Sequence, residues 1–216
     1  YSCGPETGEG VPNDWHLMHL GSFATGGAAL ILTEAAAVNA SGRISPRDAG
    51  LYNDDQAAAW ERITSFVHRH GTAETKIGTQ LAHAGRKASS YWPFSGKQGT
   101  VPAGDGGWPT VAPGTGAFDG YAAPSAMTEG EIDGVIADFA AAAVRAVGAG
   151  FDTIEIHGAH GYLLHQFQSP LVNDRTDRWG GDETGRNRLT LAVVDAVRAV
   201  IRDSMPLLLR ISASDW

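Results

Sequence analysis

Cysteine is almost missing from this chain of 216 residues. Cys3 stands alone, so no disulfide can close within the chain, and a reducing, cytoplasmic setting is expected. Basic residues are also short: 16 Lys and Arg face 24 Asp and Glu, for a formal charge of −8. Nucleic acid is therefore not expected as a partner, because binding phosphate takes cationic surface. No apolar run approaches the roughly 20 residues that cross a bilayer. The first residues carry neither the basic nor the hydrophobic segment of a secretory signal. No membrane association is expected either. Finally, no G-x-G-x-x-G follows any strand-like run, which speaks against a doubly wound dinucleotide fold.

What the chain does have is an ordinary globular balance, 43% hydrophobic and 19% charged, with 28 glycines gathered where it turns. Four short apolar runs, at 28–33, 76–81, 153–156 and 207–211, have the length and composition of strands. Helical patterns separate them. Residues 54–70 place Ala58, Ile63, Phe66 and Val67 near one face, ahead of Gly71. Thr128-Glu129-Gly130-Glu131 reads as a capping box for a helix closed by Gly148 or Gly150. Residues 182–202 align Leu189, Val193, Val197 and Val200 ahead of Pro206, and a shorter helix is expected over 14–23.

Strands alternating with helices imply parallel βαβ units. Each strand-like run leads into polar residues: Glu34, then Gln80 and His83, then His157, then Arg210. Polar residues at successive strand C-termini match the active face of a (β/α)₈ barrel. Four strands fall short of eight, so the chain is expected to form part of a barrel, about strands 2 to 5 with their helices, within a longer protein. The stretch 84–127 interrupts the rhythm with Gly, Pro and the aromatics Tyr91, Trp92, Phe94, Trp108, Phe118 and Tyr121. Following a strand, and too aromatic for a disordered insert, it is expected to be a lid or long loop on the catalytic face.

The chemistry concentrates in Ile154-Glu155-Ile156-His157-Gly158-Ala159-His160-Gly161-Tyr162. In an extended strand, residues three apart point to opposite faces, so His157 and His160 converge only where the strand has ended, and Gly158 and Gly161 permit that bend. Two imidazoles and a phenol could polarise a carbonyl-like oxygen and deliver a proton. The competing readings are histidines that merely cap loop carbonyls and a metal site with Glu155 as a third ligand. His165 falls on the following helix and reads as structural. Gln80 can both donate and accept, which suits an imide-like edge, and Arg210 would favour negative charge on an electron-rich ring. Arg210 could equally pair with Glu155 on the neighbouring strand. Residues 173–181, dense in alternating charge, read as a self-paired structural loop.

Several segments together resemble the Old Yellow Enzyme family of flavin oxidoreductases, particularly its bacterial xenobiotic-reductase branch. They are Thr33-Glu34-Ala35-Ala36-Ala37-Val38, Gly42-Arg43-Ile44, Gln80-Leu81-Ala82-His83-Ala84-Gly85-Arg86-Lys87, residues 154–164, 173–181, and Arg210-Ile211-Ser212-Ala213-Ser214-Asp215, in family order across nearly the whole chain. The resemblance implies a (β/α)₈ barrel binding FMN, with NAD(P)H as hydride donor and an activated alkene or nitro compound as small-molecule substrate. It implies Ala35, Gln80 and Arg210 as flavin contacts. His157 and His160 would grip the substrate oxygen, with Gly158 and Ala159 beside them, and Tyr162 would donate the proton. Tyr1 would line the substrate pocket, and Lys87 would support the site from behind. No metal is implied, and the full-length protein is expected to be a homo-oligomer. Cys3 does not correspond to the family's redox-tuning cysteine, which precedes the counterpart of Tyr1.

Overall fold

A computed structural model describes residues 10–215. Tyr1 and Cys3 lie outside the described residues. The elements run α1 (Asp14–Thr25), β1 (Leu30–Ala37), α2 (Asp54–His70), β2 (Lys76–Ala82), β3 (Val111–Ala112), β4 (Ser125–Ala126), α3 (Glu129–Gly148), β5 (Thr153–Gly158), α4 (Leu163–Gln168), α5 (Glu183–Val200) and β6 (Leu207–Ile211). The four long strands form one sheet in the order β1-β2-β5-β6, and all its pairings are parallel. Parallel neighbours need a crossover, and α2, α3 and α5 supply the three.

The helices begin where local chemistry satisfies their first N–H groups. Asn13, Asn53, Thr128 and Asp182 each accept from the backbone one turn in, and at Asn13, Asn53 and Thr128 a reciprocal side chain completes a capping box. On the sheet, alternation sends Ile77, Leu81, Ile154 and Ile156 toward the helices, all at 0% exposure. There they join Trp60, Val67, Phe139, Leu163, Phe167, Leu189 and Val193 in one core. The other face carries Leu32, Gly78, Gln80, Thr153, Glu155, His157 and Arg210, as the register requires.

Two details depart from the expected pattern. β1 does not stop at Thr33 but continues to Ala37, so Glu34 lies inside the strand rather than at its C-terminal end. The register shifts between Leu32 and Ala35; this bulge turns Glu34 toward α1, where its carboxylate stands 3.5 Å from His19. The stretch 84–127 holds two 3₁₀ turns and the short pair β3–β4. Arg175 ties the end of that stretch to the loop after α4, donating to the carbonyls of Pro113 (3.1 Å) and Met127 (2.5 Å). The same guanidinium pairs with Asp177, whose carboxylate accepts from the Trp179 N–H at 3.0 Å. Of the four charges in 173–181, Arg175 and Asp177 thus pair within the loop, and Arg178 pairs with Glu129 of α3 at 2.8 Å.

Candidate active site

β5 delivers Glu155 and His157 to the inner face, and the chain then bends sharply. His160 adopts φ 59° and Gly161 φ 69°, left-handed geometry that is uncommon for a histidine. The bend is held from several sides. Ser212, after β6, accepts from the His160 N–H at 3.1 Å. Lys87 donates to the His160 carbonyl at 2.9 Å. The Gly161 N–H donates to Nδ1 of His165 at 2.8 Å. Gln166, on α4 and 1% exposed, donates to the carbonyls of Gly161 (2.8 Å) and Ala84 (3.1 Å).

The result is convergence of the three expected side chains. The His157 ring meets His160 at 5.0 Å between centroids and Tyr162 at 5.2 Å, edge-on in both cases. His157 is buried and its pKa falls to about 4, first through loss of hydration and then through the neighbouring His160, Arg210 and Lys87. His160 shifts in the same direction, by desolvation and the charges of Arg210 and Lys87. Both imidazoles are therefore neutral near pH 7. The Ala159 N–H donates to Nδ1 of His157 at 3.4 Å, an arrangement in which the ring proton sits on Nε2.

The other expected contacts share this face. Ala35 pairs in register with Gln80, and Gln80 with Glu155. Arg210 pairs with His157. Gln80 donates to Glu155 at 2.5 Å. Arg210 is exposed and forms no ion pair with Glu155, so the idea of a buried Arg210–Glu155 pair is not met: Gln80 holds that carboxylate instead. Gly158 and Ala159 are buried, Ala159 at 1% exposure. They shape the bend from beneath, between His157 and His160. Tyr1 lies outside the described residues. Among the described residues no three His, Cys, Asp or Glu side chains gather as a metal ion requires, and Glu155 is engaged elsewhere. His165 leans on Asp215 at 3.4 Å and on the bend, a structural role.

Gln166 and Ser212 carry no mark of a site residue in the linear pattern, although both position the bend. A glutamine among Leu163, Leu164 and Phe167 on a short helix was the available signal, since a polar side chain on an apolar face needs partners.

Residues 3–216 match the model of the NADH:flavin oxidoreductase / NADH oxidase family. The chain belongs to that family. It is 45% identical over 218 residues to an NADH:flavin oxidoreductase of Gibberella zeae, covering 99% of this chain and 52% of the relative. It is 43% identical to an NADPH dehydrogenase of Listeria monocytogenes, covering 98% and 56%. Morphinone reductase in complex with tetrahydroNAD superposes with a TM-score of 0.79 at 31% identity, covering 94% of this chain and 56% of that one. The old yellow enzyme homologue of Zymomonas mobilis superposes with a TM-score of 0.78 at 31% identity, covering 94% and 54%. This family member thus spans about half the length of the relatives it matches, and its four-stranded sheet is part of a (β/α)₈ barrel.

Proposed function

We propose that this chain forms the substrate-gripping part of an FMN-dependent oxidoreductase. In this reading it takes hydride from NAD(P)H and reduces the activated C=C bond of an enone, or a nitro compound. The observation that carries the proposal is the meeting of two neutral imidazoles and a phenol on the face that also bears Gln80 and Arg210. That donor set fits a flavin. With one Nε2 proton engaged by Glu155, Gln80 keeps its oxygen and a second N–H for an imide edge, which offers both an acceptor and a donor. Arg210, with no carboxylate partner among the described residues, offers fixed positive charge to an electron-rich ring. Ala35, on the same rung as Gln80, adds no bulk beneath the ring.

When bound, the flavin supplies the hydride. His157 and His160 donate hydrogen bonds to the carbonyl or nitro oxygen of the substrate, drawing electron density away from the β-carbon. Because both rings are neutral, they stabilise developing negative charge without giving up their protons. Tyr162 gives its phenolic proton to the α-carbon and is reprotonated from water, which balances the addition. Lys87, 5.0 Å from the Tyr162 ring, holds a cation near the phenolate that this transfer leaves behind.

The test separates the two half-reactions by stopped-flow in the flavin-loaded enzyme. His157→Ala with His160→Ala should lower enone turnover by about 10³ or more, counting about 10²–10³ per lost oxyanion donor. Flavin reduction by NAD(P)H should change far less. Equal loss in both half-reactions would count against the assigned roles.

A further inference from the structure

Among the described residues, the inner face of the sheet carries a single carboxylate, that of Glu155 on β5. Its companions on the same rung are Ala35, Gln80 and Leu208, none of them charged. No Lys, Arg or His among the described residues stands within 4.0 Å of it. Its one hydrogen-bond partner there is the Gln80 side chain, whose Nε2 donates to Oε1 at 2.5 Å. Gln80 itself is 9% exposed, and Glu155 is half-buried.

This pairing is a poor device for holding a sheet together. Taking a carboxylate partly out of water is costly, and one hydrogen bond from a neutral donor recovers little of that cost. An apolar side chain of similar volume would serve the fold at least as well. The pairing is better understood through its effect on Gln80. A primary amide has two nearly isosteric orientations, exchanged by half a turn about its last torsion, and they present opposite chemistry. An ionised carboxylate accepts hydrogen bonds and never donates. Against Glu155 only one orientation is satisfied, with Nε2 toward the carboxylate and the amide oxygen turned away. The flipped amide would set oxygen against oxygen and leave the carboxylate without a donor.

We infer that Glu155 is a positioning residue: it fixes the flip of Gln80, so that the amide presents its oxygen and remaining N–H to the flavin's imide edge in one order. The inference rests on the functional reading above and adds a residue that acts through Gln80 rather than on the flavin. It also accounts for Arg210. That cation lies one rung higher, beside His157, and stays unpaired among the described residues because the nearby carboxylate is committed to Gln80.

The test compares FMN binding, by quenching of flavin fluorescence, in wild type, Glu155→Gln, Gln80→Ala and the double variant. Glutamine keeps the volume of Glu155 but donates as well as accepts, so both flips of Gln80 become acceptable to it. Glu155→Gln should weaken FMN binding about tenfold, the effect of losing about one well-placed hydrogen bond. In the Gln80→Ala background the same substitution should change it by less than about twofold, since the group being positioned is gone. A merely structural role would cost the same in both backgrounds. The nitrogen-15-labelled apoprotein supplies a readout independent of flavin. One Gln80 side-chain amide proton should resonate downfield in the wild type, shifted by the carboxylate, and lose that shift in Glu155→Gln. Unchanged FMN affinity in Glu155→Gln, equal losses in both backgrounds, or an amide resonance indifferent to the substitution would overturn the proposal. Failure of the wild type to bind FMN would instead overturn the flavin reading, and the amide resonance would still decide whether Glu155 orients Gln80.

Discussion

Gln166→Leu is the substitution that probes most directly how the catalytic bend is built. Leucine nearly matches glutamine in volume, so the change removes polar contacts without opening a cavity. Three backbone groups lose their partner: the carbonyls of Ala84 and Gly161, and the Arg86 N–H, which donates to Oε1 at 3.2 Å. A buried polar group left without a partner costs about 1–3 kcal/mol. Ala84 is 0% exposed and would bear that cost fully, whereas Gly161 and Arg86 are only partly buried and water can replace part of theirs. The expected loss is about 2–4 kcal/mol, measured by denaturant unfolding. Freed from Gln166, the Gly161 carbonyl no longer restrains the bend, so the substrate step should slow more than flavin reduction does. Gln166→Glu provides the control. Its carboxylate still accepts from Arg86 but faces two carbonyls, so the deficit relative to wild type should shrink as acidification restores a donor. A loss below about 1 kcal/mol for the leucine variant, together with no acid recovery of the glutamate variant, would refute this account.

The remaining predictions concern acid, packing and proton delivery. Burial lowers the pKa of His83 from 6.5 to about 4, and His157 falls to about 4 as well. The unfolded chain therefore binds more protons than the native one between those values, and stability should fall as pH drops from about 6.5 to 4. His83 alone could account for up to about 3 kcal/mol of that loss. Asp48 acts oppositely: burial raises it to about 6, so its contribution weakens as pH rises from about 4 to 6, and Asp48→Asn should make the acid loss steeper. Melting curves across this range check both signs, and a flat profile would contradict them. Gly78→Val should destabilise by about 1–3 kcal/mol, because even a Cβ there meets Leu32 and Thr153 on the flanking strands; unchanged unfolding would show that the inner face is looser than drawn. Tyr162→Phe should keep substrate binding yet slow turnover by about 10²–10⁴, read as kcat against KM.

Much of the framework is written in local chemistry. Helix starts at Asn53, Thr128 and Asp182 depend on side chains one turn away, and the strand segments carry their own apolar pattern, so both are legible residue by residue. The placement of Gln80, His157 and Arg210 at strand C-termini follows from the same reading. Glu34 lies inside β1 rather than at its end because a bulge is set by how β1 pairs with β2, and no local pattern announces it. The contributions of Gln166 and Ser212 were hidden for a similar reason: their partners lie 82 and 52 residues away along the chain.

From its residues alone this protein declares a parallel βαβ order, a family, and the three side chains equipped for proton and oxyanion chemistry. Only the folded chain decides that these three meet, that Gln80 rather than Arg210 restrains Glu155, and that both histidines stay neutral. Those outcomes depend on register, burial and the charges of neighbouring strands. Each is a property of distance through space, which a linear order of residues does not specify.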